Sequence, residues 1–165
     1  MKRKLLSVLL MLCLAFSLLP TAALADGPDT ELPIADGNGV ITLTNDVTIT
    51  GQQWVIAASE TLTLDLNGYT VKISKYTAEK GQVLVKGTLT VKDSSKAGTG
   101  KICSDYTGTA GNTIKIEKNG KLILKSGTIT TEGMGTSAVA LSIASGATVE
   151  MTGGTVKCDA KRGNK

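Results

Sequence analysis

The feature that most constrains this chain is a repeat in which apolar residues and glycines recur at a constant spacing along the sequence. That spacing is the number of residues from Leu122 to Val149. Without any gap, a shift by that interval also superposes Leu124 on Met151 and Gly127 on Gly154. The same shift takes Leu62 to Leu89 and Leu64 to Val91. The next interval is slightly longer, and the turn-like segment DSSKAGTGK (93–101) accommodates the insertion. Repeats of this length indicate a stacked fold in which each unit covers its neighbours.

Each repeat contains short runs in which apolar and polar residues alternate, such as TIKI, KLIL and GTIT. Alternation with a period of two indicates strands with one buried face, and the intervening Gly, Asn and Ser residues indicate turns. Three such strands per repeat are typical of one coil of a parallel β-helix. The sequence therefore predicts an all-β, right-handed parallel β-helix of about four coils, with an N-terminal cap formed by strands within residues 40–50. The alternative is an antiparallel sandwich, which does not require a constant shift.

Stacked coils place inward residues in columns along the helix axis, with neighbours about 4.8 Å apart. The first predicted column consists of Leu62, Leu89, Leu122 and Val149. The second consists of Leu64, Val91, Leu124 and Met151, and the third of Ile56, Val83, Ile116 and Ile143. Trp54 precedes Leu62 by the interval that separates Ile114 from Leu122, so we expect it to point inward as a core residue.

The runs ITLTNDVTI, TLTLDLNGYTVKI and GATVEMTGGTV resemble the pectin-lyase-like right-handed β-helix repeats of secreted and surface bacterial proteins. The resemblance covers roughly residues 38–158. Many such proteins are described as adhesin-like, and the group also includes polysaccharide lyases and glycoside hydrolases. The resemblance thus implies a structural or adhesive module that contacts glycan or a host or cell surface, with a polysaccharide lyase or glycoside hydrolase, or a fragment of one, as the alternative.

Residues 1–25 have the composition of a signal peptide: three cationic residues, an apolar stretch from Leu5 to Leu19, and the small-x-small site Ala23-Leu24-Ala25. A retained membrane anchor is the alternative reading, although the apolar stretch is short for a membrane span. We therefore expect a secreted, extracellular protein that does not contact the membrane after cleavage. The predicted organisation continues with an exposed lead-in at 26–39, the parallel β-helix domain at 40–158 and a polar tail at 159–165.

Charge and composition exclude several kinds of function. The predicted signal peptide carries 3 of the 18 basic residues and none of the 14 acidic ones, which leaves a net charge of +1 and no basic stripe for nucleic acid. The chain has no His, which excludes Ser-His-Asp triads and His-based zinc sites. We expect no cofactor.

The acidic residues within strands do not predict a catalytic centre. Asp65, Glu117 and Glu150 fall on different columns, whereas a glycosidase needs two carboxylates within about 10 Å on one face. Arg162, the only Arg outside the predicted signal peptide, lies in the tail. The segment Asp65-Leu66-Asn67-Gly68 faintly resembles a calcium loop, but Asn67-Gly68 is more typical of a turn with positive φ. The sequence therefore predicts neither a catalytic residue nor a metal site.

The best candidate contact patch lies in the loops that join successive coils. Tyr76, Tyr106 and Met134 follow equivalent strands and are predicted to line up along one edge. Lys75, Asp105 and Glu132 lie beside them. Aromatic rings pack against sugar C–H faces while nearby polar groups bind the hydroxyls, so these six residues are the predicted ligand-binding set.

Two further expectations concern Cys103 and Cys158 and the C-terminal coil. The two cysteines fall two coils apart, a distance of about 9.6 Å, which exceeds the usual Cα separation of about 7 Å for a disulfide. We therefore expect two free thiols. The last coil is expected to leave its backbone groups uncovered above Val149, Met151 and Val156. Such an end predicts either further coils in a longer β-helix or end-to-end self-association of two copies.

Overall fold

The computed structural model describes residues 31–74, 81–105, 110–133 and 137–159. The described residues form short strands and no helix, so none of them belongs to a helix that could cross a membrane. The strands are β1 (Val40–Thr42), β2 (Val47–Thr50), β3 (Trp54–Ile56), β4 (Thr61–Asp65), β5 (Thr70–Ser74), β6 (Val83–Val85), β7 (Thr88–Lys92), β8 (Lys101–Ser104), β9 (Ala110–Ile116), β10 (Lys121–Leu124), β11 (Thr128–Thr131), β12 (Ser137–Ile143), β13 (Thr148–Met151) and β14 (Thr155–Cys158).

Every third strand joins the same sheet. Sheet I has the order β1-β4-β7-β10-β13, sheet II the order β2-β5-β8-β11-β14, and sheet III the order β3-β6-β9-β12. All of these pairings are parallel. The chain is therefore a parallel β-solenoid of about four turns, which confirms the predicted stack and excludes the antiparallel sandwich. The right-handed sense of the coil and the N-terminal cap remain predictions.

The first two predicted columns are confirmed by the strand register. Leu89 pairs with Leu62 on one side and with Leu122 on the other, and Val149 completes this column. The alternation along β10 also has the predicted phase, because Leu122 is fully buried whereas the neighbouring Lys121 is half-exposed. Each fully buried side chain of this size contributes roughly 1.5–3 kcal/mol of transfer free energy, and the stacked columns form one core.

The third predicted column is wrong at one position. Ile56 pairs with Val85 rather than Val83, and Val83 pairs with Trp54. The physical reason is a tight corner after β6: Val85 is followed by only Lys86 and Gly87 before β7 begins, whereas four residues separate β3 from β4. A Cβ at Gly87 would lie 2.2 Å from the carbonyl oxygen of Ala57, so the two backbones touch at this corner.

The corner between sheets I and II is held by two buried carboxylates. Asp93 accepts hydrogen bonds from the backbone N–H groups of Gly68 at 2.8 Å, Ser95 at 3.1 Å and Gly100 at 2.7 Å. It thereby fixes the loop between β7 and β8, which is the predicted insertion, to the preceding coil. Burial alone would raise the pKa of Asp93, but a hydrogen bond from the Ser95 side chain and the three backbone hydrogen bonds outweigh it, and the pKa lies below its ordinary value.

Asp65 has the same role one coil earlier. It accepts hydrogen bonds from the backbone of Asn67 at 3.1 Å and Ser94 at 3.0 Å, and it pairs with Lys92 at 3.0 Å. Burial opposes these bonds, yet together they lower the pKa of Asp65. Asn67 and Gly68 have φ values of 46° and 88°, which confirms the predicted turn with positive φ. The oxygen atoms of Asp65 thus hold backbone amides and an ammonium group in this structure.

The two ends of the solenoid differ in how well their apolar residues are covered. At the first coil, Leu32 and Ala35 pack against the core, while Ile34 between them is exposed. At the last strands, Ile143 and Met151 remain 55% and 49% exposed. The inward columns are therefore buried along most of the described strands and partly exposed at β12 and β13.

Candidate functional site

The structure describes two of the six residues predicted to bind a ligand. Asp105 and Glu132 directly follow β8 and β11, at the same edge of sheet II. The other four, Lys75, Tyr76, Tyr106 and Met134, lie outside the described residues. The predicted aromatic row therefore remains a prediction, whereas its two acidic neighbours lie within the described residues.

Asp105 and Glu132 belong to an acidic column that continues to Asp159. Ser104, Thr131 and Cys158 are paired through the register of sheet II, and each acidic residue follows one of them. The backbone of Glu132 donates to Ser104 at 2.8 Å, and that of Asp159 donates to Thr131 at 3.0 Å. The acidic column therefore places one carboxylate on each of three successive coils, with a backbone spacing of about 4.8 Å.

The sequence identified Asp105 and Glu132 as loop residues beside the predicted aromatic row, but Asp159 was assigned to the polar tail and was not grouped with them. Asp105, Glu132 and Asp159 come one position after the strand ends, yet they are separated by the same constant period that identified the core columns. This period, applied to charged residues as well as apolar ones, would have identified the acidic column from the sequence. The structure thus brings acidic residues from different coils onto one face. The acidic residues within strands gave no indication of such a face.

Each member of the acidic column has a lysine partner. Lys72 contacts Asp105 at 3.0 Å, Lys101 contacts Glu132 at 2.7 Å, and Lys157 contacts Asp159 at 2.7 Å. The hydroxyl groups of Ser74 and Thr130 donate further hydrogen bonds to Asp105 and Asp159, at 2.9 and 3.3 Å. Because these pairs are well exposed, they orient the side chains more than they stabilise the fold.

Three of the paired residues have pKa values that are shifted toward their charged forms. The hydrogen bond to Asp105 raises the pKa of Lys72, and the hydrogen bond to Glu132 raises that of Lys101, in both cases against the opposing effect of burial. The hydrogen bond from Lys157 lowers the pKa of Asp159. This edge of sheet II therefore presents alternating fixed charges of both signs at neutral pH.

A cleft of about 230 Å³ lies along this edge. Its lining includes Lys101, Thr128, Thr130, Glu132, Lys157 and Asp159, and the loop between β7 and β8 forms one wall through Gly98 and Thr99. The cleft therefore crosses several coils and is lined by hydroxyl, ammonium and carboxylate groups. We call this surface the sheet II cleft.

The thiol of Cys103 lies beneath the charged groups of sheet II. Cys103 is buried and Cys158 is exposed, and both are free, which confirms the predicted absence of a disulfide between them. The register explains this, since Cys103 pairs with Thr130 and Cys158 with Thr131, so the cysteines occupy adjacent columns two coils apart. Burial raises the pKa of Cys103 to about 11, so it remains a neutral, poorly nucleophilic thiol at neutral pH.

A second cleft of about 240 Å³ lies near the N-terminal end. It is lined by Glu31, Leu32, Ile49, Gln52, Gln53 and Trp54. Trp54 packs against the core, which confirms its expected inward position, but it is only partly buried and one side contributes to this cleft.

Within residues 31–74, 81–105, 110–133 and 137–159, no group of three or more His, Cys, Asp or Glu residues could hold a metal ion. In comparisons with known proteins, no family model, no curated protein and no solved structure matches the chain.

Proposed function

We propose that this protein is a secreted or surface-exposed β-solenoid module with a structural or adhesive role, and that it contacts glycan through the sheet II cleft. The predicted signal peptide supports export, and the resemblance to pectin-lyase-like repeats supports a role at bacterial surfaces. The observation that carries the glycan contact is the cleft itself, in which hydroxyl and charged groups recur from coil to coil.

The chemistry of the cleft favours a neutral glycan. Lys101 and Lys157 are matched by Glu132 and Asp159, so the lining has no net charge that would attract a polyuronate. Sugar hydroxyls both donate and accept hydrogen bonds, and each lysine–carboxylate pair offers one group of each kind. A glycan chain lying along the cleft would meet these two pairs in succession, with charged groups on three coils that are about 4.8 Å apart.

The ionisation of Asp159 favours binding over hydrolysis. Glycoside hydrolysis requires a carboxylic acid with a raised pKa to protonate the leaving oxygen. The pKa of Asp159 is lowered by Lys157 instead. A polysaccharide lyase or glycoside hydrolase therefore remains the second candidate, supported by the resemblance alone.

The test measures binding of the purified chain to a panel of neutral and uronate polysaccharides. We expect binding to neutral glycans, weakened about tenfold or more by Glu132→Gln, because one charge-assisted hydrogen-bond acceptor is lost. Glu117→Gln is the matched control: Glu117 is 38% exposed beside Lys115, and Glu132 is 37% exposed beside Lys101, but Glu117 lies away from the cleft.

The same panel distinguishes the second candidate. Release of unsaturated or reducing-end products from pectin or other uronate polymers, with or without calcium, would establish the enzyme instead. Glycan binding that both variants retain in full would remove the sheet II cleft from the proposal.

A further inference from the structure

The connection between β7 and β8 is much longer than its equivalents on the neighbouring coils. Residues 93–100 join β7 to β8, whereas residues 66–69 and 125–127 make the corresponding connections one coil before and one coil after. We call residues 93–100 the insertion loop. Because the shorter connections already lead the chain from sheet I to sheet II, forming the coil does not require the additional residues.

The insertion loop folds back onto the preceding coil. The hydroxyl group of Thr99 donates a hydrogen bond to the carbonyl oxygen of Gly68 at 3.0 Å, and the carboxylate of Asp93 accepts one from the backbone of Gly68 at 2.8 Å. A Cβ at Gly100 would lie 2.5 Å from the Cβ of Leu66, so the backbone of the loop lies directly against that coil. The insertion loop is therefore a fixed projection above the turn at Gly68.

The position of the insertion loop coincides with one end of the sheet II cleft. Thr70, Lys101 and Thr128 are paired in register on three successive coils of sheet II. Lys101 and Thr128 line the cleft, but the lining includes neither Thr70 nor any other residue of β5, a strand that the structure describes in full. Gly98 and Thr99 complete the lining at this end instead. The insertion loop therefore closes the cleft toward the N-terminal coils.

We infer, on the basis of the proposed glycan contact, that the sheet II cleft recognises the terminal sugar residue of a neutral glycan chain and that the insertion loop is the wall that stops the chain. A chain that continued past Lys101 toward β5 would collide with Gly98 and Thr99. The cleft of about 230 Å³ is also smaller than the roughly 300–1,000 Å³ of sites that enclose a drug-sized ligand, so it holds only a short stretch of chain.

The chemistry at the closed end suits a chain terminus. Lys101 and Glu132 lie there with their charged groups 2.7 Å apart, and they offer one hydrogen-bond donor and one acceptor. A terminal sugar residue has a free hydroxyl group at the position that an internal residue uses for its glycosidic bond. That hydroxyl group both donates and accepts hydrogen bonds, so it can be bound by the lysine–carboxylate pair.

The first experiment varies the number of chain ends at constant mass. Glucomannan, arabinoxylan and amylose are each tested for binding to the full chain, both intact and after partial hydrolysis. If chain ends bind, about ten times more ends should lower the mass concentration at half-saturation about tenfold, because the concentration of ends sets the occupancy. An unchanged mass concentration would overturn the chain-end inference and leave the proposed function standing. Binding to none of the three polymers, intact or hydrolysed, would refute both.

The second experiment removes the wall. Deletion of residues 95–99 leaves the connection Asp93-Ser94-Gly100, which has the length of Lys125–Gly127 and also ends in Gly. This variant should bind intact and hydrolysed polymer at the same mass concentration, a gain for the intact polymer that misfolded protein cannot produce. Lys96→Ala is the control, because Lys96 is exposed on the same loop but does not line the cleft, and it should keep the dependence on chain ends.

The outcome for the deletion variant assigns the wall. A folded deletion variant that still depends on chain ends as the unsubstituted chain does would show that the insertion loop is not the element that stops the glycan. The first experiment uses the unsubstituted chain, so it decides the chain-end inference even if the deletion prevents folding.

Discussion

The first and last coils contain equivalent residues in very different surroundings. Ile41 and Met151 stand at opposite ends of one inward column, yet Ile41 is 5% exposed and Met151 is 49% exposed. Ile56 and Ile143 end another column, with exposures of 0% and 55%. Facing the inside of a solenoid is therefore not sufficient for burial, because each residue needs a covered neighbour on both sides along the axis.

The largest expected effect contrasts the two faces of one strand inside the stack. Leu122→Asp places an unpaired charge in a fully buried position and should cost several kcal/mol, enough to abolish the cooperative unfolding transition. Lys121→Asp should cost about 1 kcal/mol or less, because it alters only an exposed pair with Glu150. Chemical denaturation of both variants measures the difference. Equal losses would show that the buried face of β10 has been assigned incorrectly.

A matched pair of truncations tests the difference between the ends directly. Ile41→Ala should reduce the free energy of unfolding by about 2–5 kcal/mol, as expected for a buried aliphatic residue. Met151→Ala should reduce it by less than about 1 kcal/mol in dilute protein, because the side chain is half-exposed before any substitution. Denaturation curves at low protein concentration avoid a contribution from association. A cost at Met151 as large as that at Ile41 would mean that the last strands of the solenoid are covered in solution.

A smaller change in the free energy of unfolding is expected from the carboxylates. Here a buried carboxylate inside the stack is compared with an exposed one on its last described coil. Asp93→Asn removes part of a set of three hydrogen bonds and should cost about 1–3 kcal/mol at neutral pH. Because the pKa of Asp93 is lowered on folding, its contribution is present above the unfolded pKa of about 3.9 and is lost as pH falls through the folded pKa.

The pH dependence provides the check on this prediction. The unsubstituted chain should lose stability as the pH falls below about 4, and Asp93→Asn should show a shallower loss over that range. Asp159→Asn, at the exposed end of the acidic column, should leave the free energy of unfolding at neutral pH nearly unchanged. Identical acid profiles for the Asp93 variant and the unsubstituted chain would rule out the anchoring role of this carboxylate.

Much of the core could be predicted because two independent periods agree. Alternation identified the inward residues of each strand, and the constant shift between repeats identified their partners in the neighbouring coils. Val83 was misassigned because the shift is interrupted at the corner of Lys86 and Gly87, where backbone contacts shorten the turn. Such a contact depends on how two coils meet and leaves no pattern in a single strand.

The candidate site was predicted less completely for a similar reason. Asp105 and Glu132 were identified through their loop positions, but their alignment with Asp159 in one column follows from the register of sheet II. The lysine partners Lys72 and Lys101 each lie a whole coil before their acids in the chain, so no local motif links them. The lysine and carboxylate groups meet only because the chain returns to the same sheet one coil later.

The direction of the hydrogen bonds has a mechanical consequence. In all three sheets the backbone bonds join one coil to the next, so they run along the axis of the solenoid. A pulling force applied at Asp159 and resisted at the first coil would peel β14 from β11 before β13 from β10, because the bonds nearest the point of pulling can open one at a time. The chain would then unravel one coil at a time from this end, and each released coil would lengthen the tether and absorb work while the remaining coils kept their shape.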